Sequence, residues 1–290
     1  MLPARFEYHR PSTLEEALAL LAEHGDDAKV LAGGQSLIPM MKLRFAAPAR
    51  LIDINRIEGL DAIEEADGEL HIGALVRHNQ LVSSDLLATK YPMIAAAAPQ
   101  IADPLVRNLG TIGGSLTQCD PSGDLGSVML AANARVVLRS STGEREVPMT
   151  DFVVSTFQSS IEPNELLTQI RITSPTGRYG GTYLKLERKI GDYATVATAT
   201  RLMLGDDGTI SLAGIGLTSV GLTNIKATAA EESLIGKTPG DDAFAEAGRI
   251  AAEASSPVTD VRGSEAYKRH MVEVYVRRGL TRAAELAGAA

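Results

Sequence analysis

Hydrophobic and polar residues follow two different periods along this 290-residue chain, and the period changes several times. Near the N-terminus, apolar residues at helical spacing follow a capping box at residues 12–15, and Gly25 ends the predicted helix. The apolar positions of this helix are Leu14, Ala17, Leu18 and Leu21. A short buried strand is predicted at residues 29–32, and further helical or strand pieces are predicted at 40–44 and 51–54. This opening segment is typical of a small α/β subdomain.

From residue 58 onward the pattern is one of β-hairpins separated by helices. Hairpins are predicted over residues 62–74 and 134–147, helices at 79–83 and 91–98, and a closing strand at 166–172. Pro175 and Gly177 mark a linker. Beyond the linker, three strands are predicted at 182–189, 195–204 and 209–217, followed by helices at 242–254 and 264–287. The sequence therefore predicts an α+β fold in three units, with limits at residues 1–56, 57–176 and 177–290.

Charge and cysteine content narrow the class of protein. A formal net charge of −8, without a long run of lysine or arginine, argues against a nucleic-acid-binding protein. With Cys119 as its single cysteine, the chain can form no internal disulfide and can hold no four-cysteine iron–sulfur cluster. No apolar run is long enough to cross a bilayer, and the N-terminus lacks the layout of a signal peptide. These features predict a cytoplasmic protein.

Two double-glycine loops are the most informative motifs. The first glycine loop, residues 31–39, reads LAGGQSLIP, and the second glycine loop, residues 108–115, reads NLGTIGGS. Glycine allows close approach by a ligand, and successive backbone N–H groups in such turns can bind an anion. Either loop alone is most often just a tight turn, but the pair indicates a ligand with two phosphates. Neither loop matches the Rossmann or P-loop pattern.

Several side chains outside these loops have both a structural and a functional interpretation. Asp120 precedes Pro121, which favours a helix cap, whereas Asp124 lies further along and could accept a hydrogen bond from a ligand. On a strand, Lys185 would lie on a charged face, and the sequence pattern alone favours exposure of that face to solvent. The turn at Tyr193 could instead present a flat ring to a flat cofactor.

Other chemistry is not favoured by the sequence. The five histidines are scattered, without metal-ligand spacing, which argues against a protein metal site. Cys119 has no histidine nearby in sequence, so it is expected to pack as a small residue rather than act as a nucleophile.

At these residues the chain resembles the FAD-binding medium subunits of molybdenum hydroxylases, and within them the carbon monoxide dehydrogenase branch most closely. The shared pattern begins with FEYHRP at residues 6–11 and continues with AGGQSLIPMMK at 32–42. It includes IADP at 101–104, GTIGGS at 110–115 and Asp120-Pro121. The most distinctive stretch is KLERKIGDYAT at residues 185–195.

The resemblance implies a fold. The first two units would be the two α/β subdomains of an FAD-binding fold of the PCMH, or vanillyl-alcohol oxidase, type, with FAD held between them. The third unit would be a carbon monoxide dehydrogenase flavoprotein-like domain, in which a three-stranded antiparallel sheet joins a helical bundle.

The resemblance also implies cofactor contacts. The two glycine loops would hold the pyrophosphate, Asp124 and Lys185 would hydrogen-bond to FAD, and Tyr193 would cover one face of the isoalloxazine. Gln35 and Ser115 stand where the family often has other hydrogen-bonding residues, so altered detail is expected rather than lost binding. The implied FAD-binding residues are Ala32, Gly33, Gly34, Gln35, Ser36, Leu37, Ile101, Ala102, Gly110, Thr111, Gly113, Gly114, Ser115, Asp120, Asp124, Leu167, Lys185 and Tyr193.

The implied function is electron transfer within a larger enzyme. A large partner subunit would carry the molybdenum cofactor, with copper in the carbon monoxide branch, and a small partner subunit would carry [2Fe–2S] clusters. The chain would have no catalytic residue beyond the flavin and no metal of its own. Electrons would pass from the clusters to FAD and on to an external acceptor, a quinone in the carbon monoxide branch, which implies peripheral contact with the inner face of the cell membrane. The expected assembly is a dimer of heterotrimers.

Three alternatives remain open on the sequence. The large subunit could act on an aldehyde, nicotinate or a purine, since the substrate would not meet this chain. The chain could be a self-sufficient FAD oxidase, although it lacks a substrate-binding domain. It could also be a binding or scaffold module whose loops hold no cofactor.

Overall fold

In the computed structural model, which describes residues 2–288, the chain forms three main β-sheets in succession, each packed against helices. The strands are β1 (Glu7–His9), β2 (Ala28–Leu31), β3 (Arg50–Asp53), β4 (Ile63–Ala66), β5 (Glu69–Gly73), β6 (Arg135–Ser140), β7 (Gly143–Pro148), β8 (Val153–Ser155), β9 (Gln158–Ser159), β10 (Leu166–Thr173), β11 (Arg178–Leu186), β12 (Val196–Leu204), β13 (Ile210–Thr218) and β14 (Ile225–Lys226). The α-helices are α1 (Leu14–His24), α2 (Leu37–Leu43), α3 (His78–Ser83), α4 (Asp85–Lys90), α5 (Pro92–Ala97), α6 (Pro104–Leu109), α7 (Ile112–Gln118), α8 (Asp124–Ala131), α9 (Met149–Phe152), α10 (Thr228–Leu234), α11 (Asp241–Ala254) and α12 (Glu265–Leu286). The predicted α+β fold class is confirmed.

The N-terminal sheet is parallel, in the order β1-β3-β2, and α1 packs its apolar face against it. The capping box predicted at residues 12–15 is displaced by one residue. Thr13 is the N-cap, and its hydroxyl accepts from the backbone N–H of Glu16 at 3.2 Å. The Glu16 carboxylate in turn accepts from the backbone N–H and the hydroxyl of Ser12. Both hydroxyl residues therefore hold the start of the helix, in different roles.

The middle sheet is antiparallel, in the order β4-β5-β10-β6-β7. Both predicted hairpins are present, and the predicted closing strand, β10, lies between them at the centre of the sheet. Two aliphatic residues of β10, Ile170 and Ile172, are at most 2% exposed. The last strand of this sheet in sequence, β10, is thus its central strand and contributes to its buried core.

The C-terminal sheet contains the three long antiparallel strands that the sequence predicts, β11, β12 and β13. A fourth strand, the two-residue β14, pairs with the edge of β13 and was not anticipated, since two residues carry no periodicity. Helices α11 and α12, also predicted, pack together and α12 covers the sheet. Helix α10 was missed.

One continuous apolar core links the middle sheet to the C-terminal sheet. Tyr183 of β11 and Ala197 and Ala199 of β12 are buried in the same cluster as Leu70 and Ile170 of the middle sheet. The domain limits at residues 56 and 176 therefore stay a prediction, although each main sheet falls within one predicted unit. No helix among residues 2–288 is long and apolar enough to cross a membrane.

Candidate functional site

The two glycine loops touch each other. A Cβ built on Gly33 would lie 2.4 Å from the carbonyl oxygen of Leu109 and 2.8 Å from the Cα of Gly110. Ordinary contact begins at 3.4 Å, so only glycine at position 33 allows the loops to approach this closely. The first loop leads from β2 into α2, and the second leads from α6 into α7. Gly33 and Leu109, which are 76 positions apart in sequence, are thus brought together, and the two loops form one surface.

The first glycine loop presents free backbone N–H groups. Gly34 has a positive φ of 71°, and Ser36 occupies the N-cap position of α2 without a side-chain capping bond. Within the part of the chain that the structure describes, the N–H groups of residues 33–36 donate to no protein acceptor. The Gln35 side chain folds back and donates to the carbonyl oxygen of Gly33 at 3.2 Å. Successive unpaired amides in this conformation form a site for an anion.

Most backbone N–H groups of the second glycine loop already donate to acceptors within the protein. The amide of Gly113 donates to the carbonyl oxygen of Ala74 at 2.9 Å, and that of Gly114 donates to the Thr111 hydroxyl at 3.1 Å. Ser115 donates its amide to the carbonyl oxygen of Thr111 at 3.0 Å. A Cβ on Gly113 would lie 2.7 Å from Ala74, so this glycine serves close packing against the end of β5. The two loops, which look equivalent in sequence, therefore differ: the first offers donors, and the second is built into the fold.

Two polar side chains that sequence analysis did not single out lie at the junction of the loops. The Asn55 amide donates to the carbonyl oxygen of Ala32 at 2.9 Å. The Arg77 guanidinium donates to the side-chain oxygen of Asn55 and to the carbonyl oxygen of Leu109. Each residue thus contacts one loop, and the two contact each other. No motif marks them, because their partners are backbone carbonyls that any residue could supply.

A second cluster of polar side chains surrounds Asp124, at the start of α8, and Lys185 of β11. The Lys185 ammonium donates to Asp124 at 3.2 Å and to the carbonyl oxygen of Gln100 at 2.9 Å. The Tyr183 hydroxyl donates to the other oxygen of Asp124 at 2.6 Å, and a Glu187 oxygen lies 3.6 Å from the Lys185 nitrogen. The Lys185 side chain is only 1% exposed. The interpretation of its strand as a solvated face is therefore wrong for Lys185.

The second cluster has unusual electrostatics because its charges are buried. Burial raises the pKa of Asp124 above its ordinary value, while Lys185 and Tyr183 oppose that rise by stabilising the carboxylate. Burial, the charge of Asp124 and its hydrogen bond together raise the pKa of Tyr183 well above its usual range. Asp124 and Lys185 were expected to bind FAD. In this structure they pair with each other, and any contact with a ligand would be additional to that pair.

Tyr193 lies on an exposed turn near the carboxylates of Asp120 and Asp124. Its ring is 56% exposed, and partial burial together with the nearby Asp120 carboxylate raises the pKa of its hydroxyl. The turn is fixed from two sides. Gly191 packs against the carbonyl of Ala102, and the Arg262 guanidinium donates to both oxygens of Asp192 at 3.0 Å. A largely free aromatic ring on a fixed turn can stack on a planar ligand.

Four further predicted site residues lie in three places. Ile101 and Ala102 lie beside the second cluster, where Arg107 donates to both of their carbonyl oxygens at 2.9 and 3.2 Å. Leu167 is only 3% exposed and belongs to the apolar core. Asp120 accepts from the backbone N–H of Ser122 at 2.9 Å, so it stabilises a turn, and the next helix begins only at Asp124. The expected helix cap at Asp120 is therefore wrong.

His78 is a buried group that the sequence did not mark as special. Its side chain packs against Gly110 of the second glycine loop, and its Nδ1 has no hydrogen-bond partner among the described residues. Burial lowers the pKa of His78 to about 4, and the charges of Arg107 and Arg77 add to this effect. The imidazole is therefore neutral at physiological pH.

These features fit a flavin dinucleotide. The free amides of residues 33–36 suit a diphosphate. The glycine contact between the two loops keeps bulky side chains away from these amides. Tyr193 and the buried pair of Lys185 and Asp124 form a second group of side chains, outside the two glycine loops. One end of the site thus suits phosphate and the other suits a planar ring with polar edges.

Comparison with known proteins defines the class. Residues 4–175 match the family of FAD-binding domains in molybdopterin dehydrogenases, and residues 181–283 match the C-terminal domain of carbon monoxide dehydrogenase flavoproteins. The chain belongs to this family, and it is an FAD-type medium subunit of the molybdenum hydroxylases, as the resemblance at the motifs implied.

Individual relatives cover nearly the whole chain. It is 42% identical to the carbon monoxide dehydrogenase medium chain of Hydrogenophaga pseudoflava, over 98% of both chains. It is 39% identical to subunit alpha of the 6-hydroxypseudooxynicotine dehydrogenase complex of Paenarthrobacter nicotinovorans, over 98% of this chain and 96% of the relative. A solved structure of a Cu,Mo-CO dehydrogenase superposes with a TM-score of 0.94 at 40% identity, covering 99% of this chain and 100% of the other.

Proposed function

We propose that this chain is the FAD-carrying electron-transfer subunit of an aerobic carbon monoxide dehydrogenase that contains molybdenum and copper. The observation that carries the proposal is the pair of touching glycine loops, of which the first offers free amides at residues 33–36. Flavin supplies one- and two-electron transfer when bound, while the protein supplies position and electrostatics. Similarity to a carbon monoxide dehydrogenase medium chain over 98% of both lengths supports the choice of enzyme.

The residues of the chain have separate tasks in this proposal. The amides of Gly33 to Ser36, with the Ser36 hydroxyl beside them, would bind the diphosphate. Gly110, Thr111 and Gly114 would form the opposite wall. Because the backbone N–H groups of the second loop already donate to acceptors within the protein, this loop would shape the wall of the site rather than hydrogen-bond to the diphosphate. Tyr193 would cover the planar ring and exclude water from one of its faces.

The buried pair of Lys185 and Asp124 would tune the ring end of the site. The Lys185 side chain is 1% exposed, and the field of an ammonium group is strong in such a medium of low dielectric constant. Such a charge stabilises negative charge on a nearby reduced ring. Asp124 and Gln100 hold the ammonium group in place, at 3.2 and 2.9 Å.

The partners follow from the same proposal. A large subunit with the molybdenum cofactor and a small subunit with [2Fe–2S] clusters would assemble with this chain as a dimer of heterotrimers. Electrons would enter from the clusters and leave to a quinone. The complex would act on the cytoplasmic side of the cell membrane, in peripheral contact with it.

A second candidate keeps the fold and changes the substrate of the large subunit. The relative from Paenarthrobacter nicotinovorans is 39% identical over 98% of this chain, nearly as similar as the carbon monoxide relative at 42%. Both candidates use the same FAD site and differ in the metals of the partner chain.

One purification tests the proposal and separates the candidates. The tagged chain would be isolated gently from its native host, and flavin, iron, molybdenum and copper would be measured together with the sizes of accompanying chains. FAD, all three metals and two partner chains are the expected result. FAD with molybdenum and iron but without copper would favour another hydroxylase, and a lone chain without flavin would contradict both. If Lys185→Met leaves flavin content and reduction potential unchanged, the role of Lys185 is wrong.

A further inference from the structure

Asn55 and Arg77 connect the two glycine loops through a continuous chain of hydrogen bonds. Asn55 follows β3 and contacts Ala32 of the first loop, whereas Arg77 precedes α3 and contacts Leu109 of the second. The two side chains are joined through the Asn55 oxygen and the Arg77 guanidinium. The sequence separation of 23 residues on one side and 32 on the other shows that folding, and not local geometry, brings these groups together.

The Asn55 end of this connection is fixed by the N-terminal sheet, through Asp53 of β3 and Tyr8 of β1. The Asn55 amide also donates to Asp53 at 2.6 Å, and Asp53 accepts a further hydrogen bond from the Tyr8 hydroxyl. Burial opposes ionisation of Asp53, but the hydrogen bonds from Tyr8 and Asn55 hold its pKa below the ordinary value. A charged carboxylate therefore orients the Asn55 amide, and only one rotamer of the amide then offers its oxygen to Arg77.

Arg77 is suited to bridge because its guanidinium is a rigid fork of donors. One nitrogen reaches Leu109 and the other reaches Asn55, so a single planar group sets the distance between the loops. Its backbone N–H donates to the Gln80 side chain at 2.7 Å, which fixes the start of α3. Burial lowers the pKa of Arg77, and Asp61 and Asp53 oppose the change, so the charge is compensated nearby.

We propose that Asn55 and Arg77 form a clamp that sets the separation of the two glycine loops and thereby selects a ligand with a diphosphate over one with a single phosphate. The two are positioning residues, since they act through the carbonyls of Ala32 and Leu109. This inference rests on the proposed binding of FAD. It adds a determinant of specificity that lies outside the glycine motifs.

The test compares binding of FAD and FMN to the full chain, purified with any partner chains and stripped of flavin. Arg77→Met keeps an unbranched apolar stem at this position and removes both hydrogen bonds. It is expected to raise the Kd for FAD about tenfold or more, which corresponds to about 1.4 kcal/mol, with a smaller change for FMN. Arg77→Lys keeps the charge without the fork and is expected to lie between Arg77→Met and wild type.

Arg145 offers a matched control. It also spans two segments, donating to the carbonyl oxygen of Ser160 at 2.8 Å and to the Glu165 carboxylate at 2.6 Å, but it lies on the hairpin away from the loops. Arg145→Met is expected to leave the ratio of FAD to FMN affinity unchanged. The double variant Asn55→Ala/Arg77→Met is expected to bind FAD no more weakly than the worse single variant, since both substitutions break one connection.

The outcomes separate the two proposals. If wild type binds FAD and Arg77→Met keeps the wild-type preference for FAD over FMN, the clamp is wrong while the proposed function stands. Additive losses from Asn55→Ala and Arg77→Met would also overturn the clamp. If wild type itself binds no FAD, the proposed function falls and the clamp falls with it. Unfolding curves without flavin identify any variant that is merely misfolded, and Arg77→Lys then carries the test.

Discussion

Replacement of Gly33 by alanine is the sharpest single test of how the two glycine loops meet. The added methyl carbon would lie 2.4 Å from the Leu109 carbonyl oxygen, where ordinary contact requires 3.4 Å. The loops must therefore separate by about 1 Å (3.4 − 2.4) or the backbone must distort. The φ angle of Gly33 is not positive, so the cost comes from steric overlap and not from forbidden backbone conformation.

The magnitude follows from the energetics of overpacking. Forcing a methyl group into a filled contact costs about 1–3 kcal/mol, which in urea unfolding with a slope near 3 kcal/mol per M lowers the midpoint by roughly 0.3–1 M. Separating the loops also weakens the hydrogen bond from Arg77 to Leu109. We expect Gly33→Ala to lower both the urea midpoint and the affinity for FAD, the latter by about tenfold or more.

Gly240→Ala is the matched control for this experiment. Gly240 has an extended backbone with φ of 177°, and a Cβ placed there meets nothing within 4 Å. Its substitution is expected to change stability by less than about 0.5 kcal/mol and to leave FAD binding unchanged. If Gly33→Ala unfolds at the wild-type midpoint and binds FAD with wild-type affinity, the loops do not meet as described.

Three other measurements address buried groups. Lys185→Met leaves Asp124 buried without its partner and should lower the free energy of unfolding by about 3–5 kcal/mol. The double variant Lys185→Met/Asp124→Asn should restore much of this loss. Equal losses in the single and double variants would contradict the pairing. Because the pKa of His78 falls to about 4 in the folded state, the unfolded chain binds a proton first as the pH drops below 6.5. Stability should then fall by up to about 3 kcal/mol between pH 6.5 and 4, an effect lost in His78→Gln but kept in the exposed control His270→Gln. Burial raises the pKa of Cys119 to about 11, so a thiol reagent at pH 8 should label it only after unfolding, and fast labelling of the native chain would contradict its burial.

Periodicity predicted the fold well because long elements repeat their pattern several times. The strands of both hairpins and the helices α11 and α12 lie within a few residues of their predicted positions. The two-residue β14 was missed because two residues carry no period, and the seven-residue α10 was missed as well. The hairpin strands, of four to six residues, were found because turn residues separate them. The fold class thus depended on the long elements together with the hairpin turns.

Residues of the site were predictable only where their chemistry is local. Gly33 and Gly34 were found because two double-glycine loops in one chain indicate a ligand, although either loop alone is most often a tight turn. The burial of Lys185 was not visible, because alternation along β11 identifies a face without saying what covers it. In the fold, Tyr183 and Lys185 of that strand both donate to Asp124 of α8, which lies on the other side of the predicted limit at residue 176.

The two ends of the site obtain their geometry by different means, and this difference predicts how each end tolerates substitution. At the phosphate end the donors are backbone amides, and the Gln35 side chain only returns to its own loop. A change at position 35 therefore alters little as long as Gly33 remains against Leu109. At the ring end the contacts are side chains buried together, so neither Asp124 nor Lys185 can change alone without leaving a charge unpaired. Sequence variation at the first end should thus be gradual, whereas at the second end it should occur in coupled pairs.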